Sequence, residues 1–413
     1  MTKMKDYLQL DSTGIRELEE KYLFPTYKRY EVFLSHGSGA RVYDLDGRGY
    51  LDFLAGIAVN SLGYSHPRIT RVYLEQAARL IHCSNLFYNP YQGALARRLA
   101  EISGLSRAFF TNSGTEANEA ALKIARAHGR QQGYKDKTKV LAVRGAFHGR
   151  TFGSLSLTFQ EKYQAPFRPL VADIEIVEAT TVEALEKAFD ERTCALFLEP
   201  IQGESGVIPL PGDFFRAARE LCTQFNALLV LDEIQCGLGR TGKYFAFQHY
   251  GVEPDLLTLA KPLAGGYPLG AVLGNARVAA ALKAGEHGTT FGGGPLACRL
   301  ALEFLDTLEE EKLLERVAEV GGYLMDSLRA IAPRHRSIGQ VRGMGLMVGV
   351  ELGAAAVKTV KKLLRRGVIA NAAHETVLRL LPPLIISRAD VNEFVSALDG
   401  ALSEVEAEGA SSA

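Results

Sequence analysis

In the stretch DLLTLAKPLAGGYPLG, Asp255 to Gly270, an apolar run closes on one cation, which is followed by a proline and a glycine pair. Such a run reads as a buried strand ending in an irregular loop, so Lys261 stands where a strand leaves the core. Two chemistries are open to it. The side chain can lay its stem on apolar surface and hold its ammonium in water. Partly desolvated, it can instead offer a free amine that bonds to a carbonyl as a Schiff base.

Neighbouring strand ends decide between them. Asp232 closes the run ALLVLD one strand earlier, where an aspartate commonly serves as a turn or cap residue. Together, a lysine and an aspartate at adjacent strand ends are what a pyridoxal cofactor requires: an amine for its Schiff base and an acid against its ring nitrogen. The phosphate of such a cofactor needs donors. Ser113, Gly114 and Thr115 open a helical pattern in TNSGTEANEAALKIARAHG, where free amides and the helix dipole favour an anion. A capping box accounts for the same letters without a ligand.

These residues need a scaffold. The runs RAFFT, KVLAVR, CALFLEP, ALLVLDE and DLLTLAK alternate with helical patterns, which predicts an α/β fold with a mostly parallel sheet covered by helices on both faces. Ligands of such sheets sit beyond the carboxyl ends of the strands. The exits read TNSGTEAN, RGAFHGRT, EPIQGESG, DEIQCGLGRTG and KPLAGG, each rich in polar residues or glycine.

Before this region, ARVYDLDGRGYLDF reads as a hairpin around an Asp-Gly turn. After TFGGGPLACR, Pro295 opens a long helical pattern through FLDTLEEEKLLERVAEVGGYLMDSLRAI, and from about Ser337 strands and helices mix in a smaller α+β domain. The expected division is an N-terminal segment over 1–65 that belongs with the small domain, a large α/β domain over 66–300 and a small α+β domain over 301–413. The end, AEGASSA, reads as a frayed tail.

Lysine plus arginine equals aspartate plus glutamate, 47 of each, so global charge gives no reason to expect a nucleic-acid partner. No apolar run reaches membrane-spanning length, and MTKMKDYLQLDSTG lacks a signal-peptide core, so a cytoplasmic protein without a membrane partner is expected. Five scattered cysteines, Cys83, Cys194, Cys222, Cys236 and Cys298, form no C-x-x-C pair. They read as small core residues, with neither disulfides nor a metal site.

Two nucleotide motifs compete for one loop. GLGRTG, Gly237 to Gly242, matches G-x-G-x-x-G, and GLGRTGK nearly matches a P-loop. The first requires a helix directly after it, and the aromatic-rich KYFAFQHYG follows instead. The second requires a hydroxyl after Lys243, where Tyr244 stands. A loop without nucleotide is the better reading, with an ATPase as the remote alternative.

Taken jointly, NSGTEANEAALKIAR, FHGRT, EPIQGE, LVLDEIQCGLGRTGK, LAKPLAGG, HGTTFGG and VLRLLPPL resemble the class III, fold-type I, pyridoxal-phosphate-dependent aminotransferases over residues 25 to 400. Within that class the likeness is greatest to the acetylornithine aminotransferase family. The glycine loop is part of the family pattern.

The resemblance implies a role for each matching residue. Lys261 would carry the cofactor and shuttle a proton, Asp232 would pair with the pyridine nitrogen, and Gln235 would contact the ring hydroxyl. Gly114 and Thr115, beside Ser113, would hold the phosphate, and Phe147 would stack on the ring. Thr290 would reach the phosphate of a neighbouring subunit, making a homodimer part of the active site. Arg150 would clamp the α-carboxylate of acetylornithine, with Thr289 near the same ligand. Arg379 would bind the α-carboxylate of 2-oxoglutarate or glutamate, with Glu204 covering it in the other half-reaction.

The expected reaction moves the terminal amine of N2-acetylornithine to 2-oxoglutarate in arginine biosynthesis. Ornithine aminotransferases usually carry a tyrosine where this chain has Gly56, and its absence leaves room for an acyl group. Pro262 and Gly294 depart from the commoner family pattern and bear on local loop geometry. Ornithine, 4-aminobutyrate, succinyl-diaminopimelate and carrier-linked lysine are the alternative donors; a non-catalytic relative is the other alternative.

Overall fold

The five runs expected as strands all lie in one seven-stranded sheet of the computed structural model, which describes residues 10–132 and 135–410. In spatial order the strands are Arg107–Thr111, Gly270–Gly274, Leu256–Leu259, Leu228–Asp232, Thr193–Leu198, Lys139–Val143 and Ile174–Val177. Successive residues face opposite sides. Val140, Ala142, Phe197, Leu228 and Val230 share a core with Ala121, Ile124 and Ala125 of the helix Gly114–Gln131. Leu141, Leu196, Leu229 and Leu231 enter the other core, with Phe214, Phe215 and Phe304. Burial of both faces is the reason these strands carry no polar alternation.

Two strands add to the expected set. Ile174–Val177 lies at the sheet edge, and only Val177 of its residues is buried. Gly270–Gly274 runs antiparallel to both neighbours, whereas the other pairings are parallel. Its glycines mask it as a strand and are required by the packing. A Cβ on Gly270 would lie 2.3 Å from Thr111 Oγ1 and 2.4 Å from the Ser113 carbonyl oxygen.

The hairpin forms as expected: Arg41–Asp44 pairs with Gly49–Asp52, and Leu34–Ser38 extends the sheet. Its other edge is taken by Val368–Ile369, which runs parallel with Val368 opposite Leu51. Near the C-terminus, Val341–Met344, Met347–Glu351, Val377–Leu380 and Asn371–Ala373 form an antiparallel sheet.

The helical pattern after Pro295 divides into Pro295–Glu310 and Leu313–Ile331, with Lys312 left-handed at φ 51° between them. Glu309, Glu310 and Glu311 place negative charge against the negative end of the first helix dipole, which favours a stop there. That first helix runs unbroken across residue 300, the expected domain boundary.

The expected frayed tail is in part a correction. The last helix, Arg388–Ala410, takes in residues 407–410, and Lys362 bridges Glu404 and Glu408 to hold its last turns. Residues 411–413 lie outside the described residues. Among the described residues no helix is long and apolar enough to cross a membrane.

Candidate active site

The sheet places the lysine and the aspartate at one end. Leu228–Asp232 and Leu256–Leu259 pair in parallel, with Asp232 opposite Thr258, and Lys261 follows in the turn beyond. The backbone of Lys261 is left-handed, φ 33°, an uncommon conformation for a residue with a side chain and one that recurs at functional sites. Both side chains line a cavity of about 430 Å³ together with Ser113, Gly114, Thr115 and Phe147.

Asp232 is buried and heavily bonded. Its Oδ2 accepts from Asn118 Nδ2 at 2.7 Å and pairs with His148 Nδ1 at 2.8 Å, and its Oδ1 accepts from the Ile234 amide at 3.0 Å. Asn118 in turn accepts from Thr258 Oγ1 at 2.8 Å and donates to the His148 carbonyl. Burial works against a charged His148, yet the bond to Asp232 outweighs it and raises the imidazole pKa. Nearby Glu199 is pushed up to about 7 by burial, with His148 opposing and Asp232 reinforcing the shift.

Burial lowers the pKa of Lys261, against the pull of Asp232 and Glu204. A lowered value enlarges the neutral-amine fraction, the form that attacks a carbonyl.

At the opposite wall, Ser113 caps the helix Gly114–Gln131 by accepting from the Glu116 amide, while Glu116 accepts from the Asn112 amide. The Ser113 cap is therefore real, while the Glu116 carboxylate reaches back one residue farther than a capping box does, to Asn112. The cap leaves the first-turn amides of Gly114 and Thr115 without intrahelical acceptors, as at every helix start. Thr115 Oγ1 is already engaged by the hydroxyls of Thr151 and Ser154 and by the amides of Arg150 and Thr151. Its hydroxyl organises the 150–154 turn, and what it offers an anion is its main-chain amide.

The two arginines are set differently. Arg379, in the strand Val377–Leu380, is buried and bonds Glu204 Oε1, Gln235 Oε1, Asn371 Oδ1 and the Gly203 carbonyl. Burial alone would raise the Glu204 pKa; the Arg379 charge overcomes this and lowers it. Arg150 is exposed at the cavity, with its guanidinium carbon 3.7 Å from the Tyr163 ring centroid and 5.4 Å from that of Phe147.

Thr289 and Thr290 do not line this cavity. Thr289 Oγ1 accepts from Asn112 Nδ2, one bond removed from it, while Thr290 is exposed beside His82, Asn85 and Phe291. Gly56, φ 61°, lies among Ala55, Ile57 and Ala58, all left-handed, next to the cavity residue Val59.

Asn118, His148, Glu199 and Tyr163 were not singled out from the sequence. The first three stand inside SGTEAN, FHGRT and EPIQGE, motifs that already marked strand exits. The glycine loop 237–242 is a packed turn followed by a single 3-10 turn, Ala246–His249, and Arg240 within it is buried on the carbonyls of Leu346 and Pro382. Neither nucleotide motif has the helix it requires.

A half-buried lysine, a strand-end aspartate held in a bonded network and a helix start in one cavity define a class. Residues 23–402 match the family model "Aminotransferase class-III", and the chain belongs to that family. The class works with pyridoxal 5'-phosphate. The donor set here fits that group: an amine, a carboxylate for a ring nitrogen, an aromatic face and bare amides for a phosphate, around a cavity of suitable size.

Among its relatives, the acetylornithine aminotransferase of Methanocaldococcus jannaschii is 46% identical over 389 residues, which are 94% of this chain and 98% of that one. The acetylornithine aminotransferase of Aquifex aeolicus is 43% identical over 378 residues, 91% of this chain and 98% of the relative. In solved structures, the ornithine aminotransferase of Toxoplasma gondii ME49 superposes with a TM-score of 0.93 at 37% identity, covering 98% of each chain. The acetylornithine aminotransferase of Elizabethkingia anophelis gives 0.85 at 31%, covering 96% of this chain and 100% of that one.

Proposed function

We propose that this aminotransferase takes the terminal amine of N2-acetylornithine and passes it to 2-oxoglutarate, giving N-acetylglutamate 5-semialdehyde and glutamate, a step of arginine biosynthesis in the cytoplasm. The observation that carries this reading is a pair of unlike arginines: Arg150 open on the cavity, and Arg379 closed by Glu204 behind the cavity residue Gln235. A site that turns over two different carboxylate substrates needs two carboxylate anchors, one of which can be withdrawn. The acetylornithine aminotransferases named above support the donor, and Gly56 leaves the approach beside Val59 free of a side chain.

Pyridoxal 5'-phosphate, when bound, supplies the carbonyl that takes the amino group from the donor and hands it to the oxo acid. The chain does the rest. Asp232 holds a proton on the ring nitrogen, and Asn118 and His148 fix the carboxylate that does so. Lys261 Nζ, whose pKa burial lowers, takes a proton from the substrate carbon and returns it. Phe147 packs the ring, the amides of Gly114 and Thr115 hold the phosphate, and Gln235 reaches the ring hydroxyl. Arg150 orients the donor carboxylate, while Thr289 stands behind the cavity residue Asn112. Arg379 receives the dicarboxylate once Glu204 has moved aside.

A homodimer is part of the proposal. Leu86, Phe87, Tyr88 and Phe291 are large apolar residues left exposed in the two segments that meet at Thr290, as at a subunit interface. Thr290 then serves the partner's phosphate.

The test is the first half-reaction of the protein loaded with pyridoxal phosphate, followed by the cofactor's visible absorbance. Acetylornithine should consume it at far lower concentration than ornithine. A preference for ornithine would overturn the donor, and loss of the response in Lys261→Ala but not in a surface lysine variant is expected if Lys261 is the catalytic amine.

A further inference from the structure

The Arg150 side chain is held in an unusual way for a cation beside a ligand cavity. Among the described residues its guanidinium has no ion-pair or hydrogen-bond partner. Instead it lies over Tyr163, 3.7 Å from the ring centroid, and the Tyr163 ring stands nearly edge-on to Phe147, centroids 6.3 Å apart at 82°. Tyr163 does not line the cavity. It acts from behind.

A planar guanidinium has two kinds of surface. Its faces are weakly hydrated and stack on aromatic rings; its edges carry the N–H donors that meet a carboxylate. A carboxylate partner would occupy those edges, as Glu204 does on Arg379. An aromatic partner occupies a face and leaves the edges open.

We propose that Tyr163 is the positioning residue of the donor-carboxylate site: it takes the flat face of Arg150 and so presents the guanidinium edge to the incoming amino acid. The inference rests on Arg150 being the donor anchor. The same ring supports Phe147 from its edge, so the wall against the cofactor and the substrate anchor share one support.

Tyr163 is itself well fixed. It lies in the one-turn helix Glu161–Gln164, and Gln164 Nε2 donates to the carbonyls of Leu155 and Thr158 at 3.1 and 2.6 Å. Arg168 bonds Glu161 in the same turn. The Arg150 backbone is pinned from the other side by the Thr115 hydroxyl at 3.2 Å. Lys162 Nζ also approaches the Tyr163 ring, at 5.1 Å, farther out than the guanidinium.

The experiment compares holoenzyme variants Tyr163→Leu, Tyr163→Phe, Tyr163→Trp and Arg150→Lys in steady state with acetylornithine and 2-oxoglutarate. Tyr163→Leu should raise KM for acetylornithine about fivefold, the order of an exposed cation–π contact, with kcat within about twofold and KM for 2-oxoglutarate unchanged. Tyr163→Phe and Tyr163→Trp should keep the wild-type KM, because each keeps a face. If Tyr163→Leu does not fold, the two aromatic variants carry the test, and a raised donor KM in both overturns the proposal. An unchanged donor KM in folded Tyr163→Leu, alongside a raised one in Arg150→Lys, overturns it as well. So does a fall in kcat with both KM values moving together, which would make Tyr163 a packing residue. An unchanged donor KM in Arg150→Lys strikes instead at the Arg150 reading beneath it.

Discussion

Glu204 and Arg379 meet in a pair whose two ends see different surroundings: the arginine side chain is 1% exposed and the glutamate 29%. The partner that can leave is therefore the glutamate. Arg379 stays, held by Gln235, Asn371 and the Gly203 carbonyl whether or not the pair is made.

From that asymmetry, Arg379→Ala should lower kcat/KM for 2-oxoglutarate by about 100-fold, the order of losing a charge-assisted bidentate contact. The acetylornithine half-reaction should fall by less than about tenfold. Single-turnover measurements of the two half-reactions check this, and equal losses would remove the switch.

Asn118 ties Asp232, Thr258 and the His148 backbone into one buried unit. Asn118→Ala should destabilise the fold by about 2 kcal/mol, as expected for stranded buried polar groups, and weaken cofactor binding roughly tenfold. Asn118→Asp, which sets a second carboxylate beside Asp232, should weaken it further. Urea unfolding and titration with pyridoxal phosphate read the two effects separately. Unchanged cofactor affinity in both variants would reduce the network to a packing role.

Gly270→Ala places a Cβ against the Ser113 carbonyl oxygen and Thr111 Oγ1, neither of which can retreat without moving the helix start. A stability loss of about 1–3 kcal/mol is expected. It should come with weaker binding of the cofactor and of inorganic phosphate. Thermal unfolding with and without phosphate measures it, and a variant that loses stability but keeps phosphate affinity would contradict the placement of the anion site.

Burial pushes the carboxyl of Glu233 up to about 8, although the amides of Phe247 and Ala246 bond it. In the unfolded chain the group loses its proton near its ordinary value of 4.5. Between these two values the folded state holds a proton that the unfolded state has lost. Stability from this group is thus fully present at low pH and declines as pH rises toward 8, at roughly 1.4 kcal/mol per unit at the steepest. Glu233→Gln should flatten that decline relative to the parent in urea unfolding from pH 5 to 8. Parallel pH profiles would contradict the assignment.

The sequence made Lys261 and Asp232 legible because each closes an apolar run, and the depth of the runs is a local property of the letters. The Gly270–Gly274 strand was not legible, since one of its two partners, Arg107–Thr111, lies far off in the chain and its glycines, which the close packing demands, read as loop. His148 was hidden for another reason: its role depends on a partner more than eighty positions away, which no local pattern announces. The stop at Lys312 falls within a helical period and is decided by three glutamates at a helix end, so periodicity alone ran through it. Arg379 could be named only by resemblance. Its place beside Gln235 follows from the register that sets it opposite Gly349 and Asn371, and register between distant strands is invisible in one sequence.

The parallel pairing of Val368–Ile369 with Leu51–Asp52 also sets an order of events during synthesis. The hairpin leaves the ribosome well ahead of its partner and waits with an unpaired edge until the chain between Asp52 and Val368 has followed. A polypeptide released early, before residue 368, would keep that edge bare and would lack Arg379 as well. Products that end there would therefore lack an oxo-acid anchor and carry an open strand edge, a template for pairing with other chains.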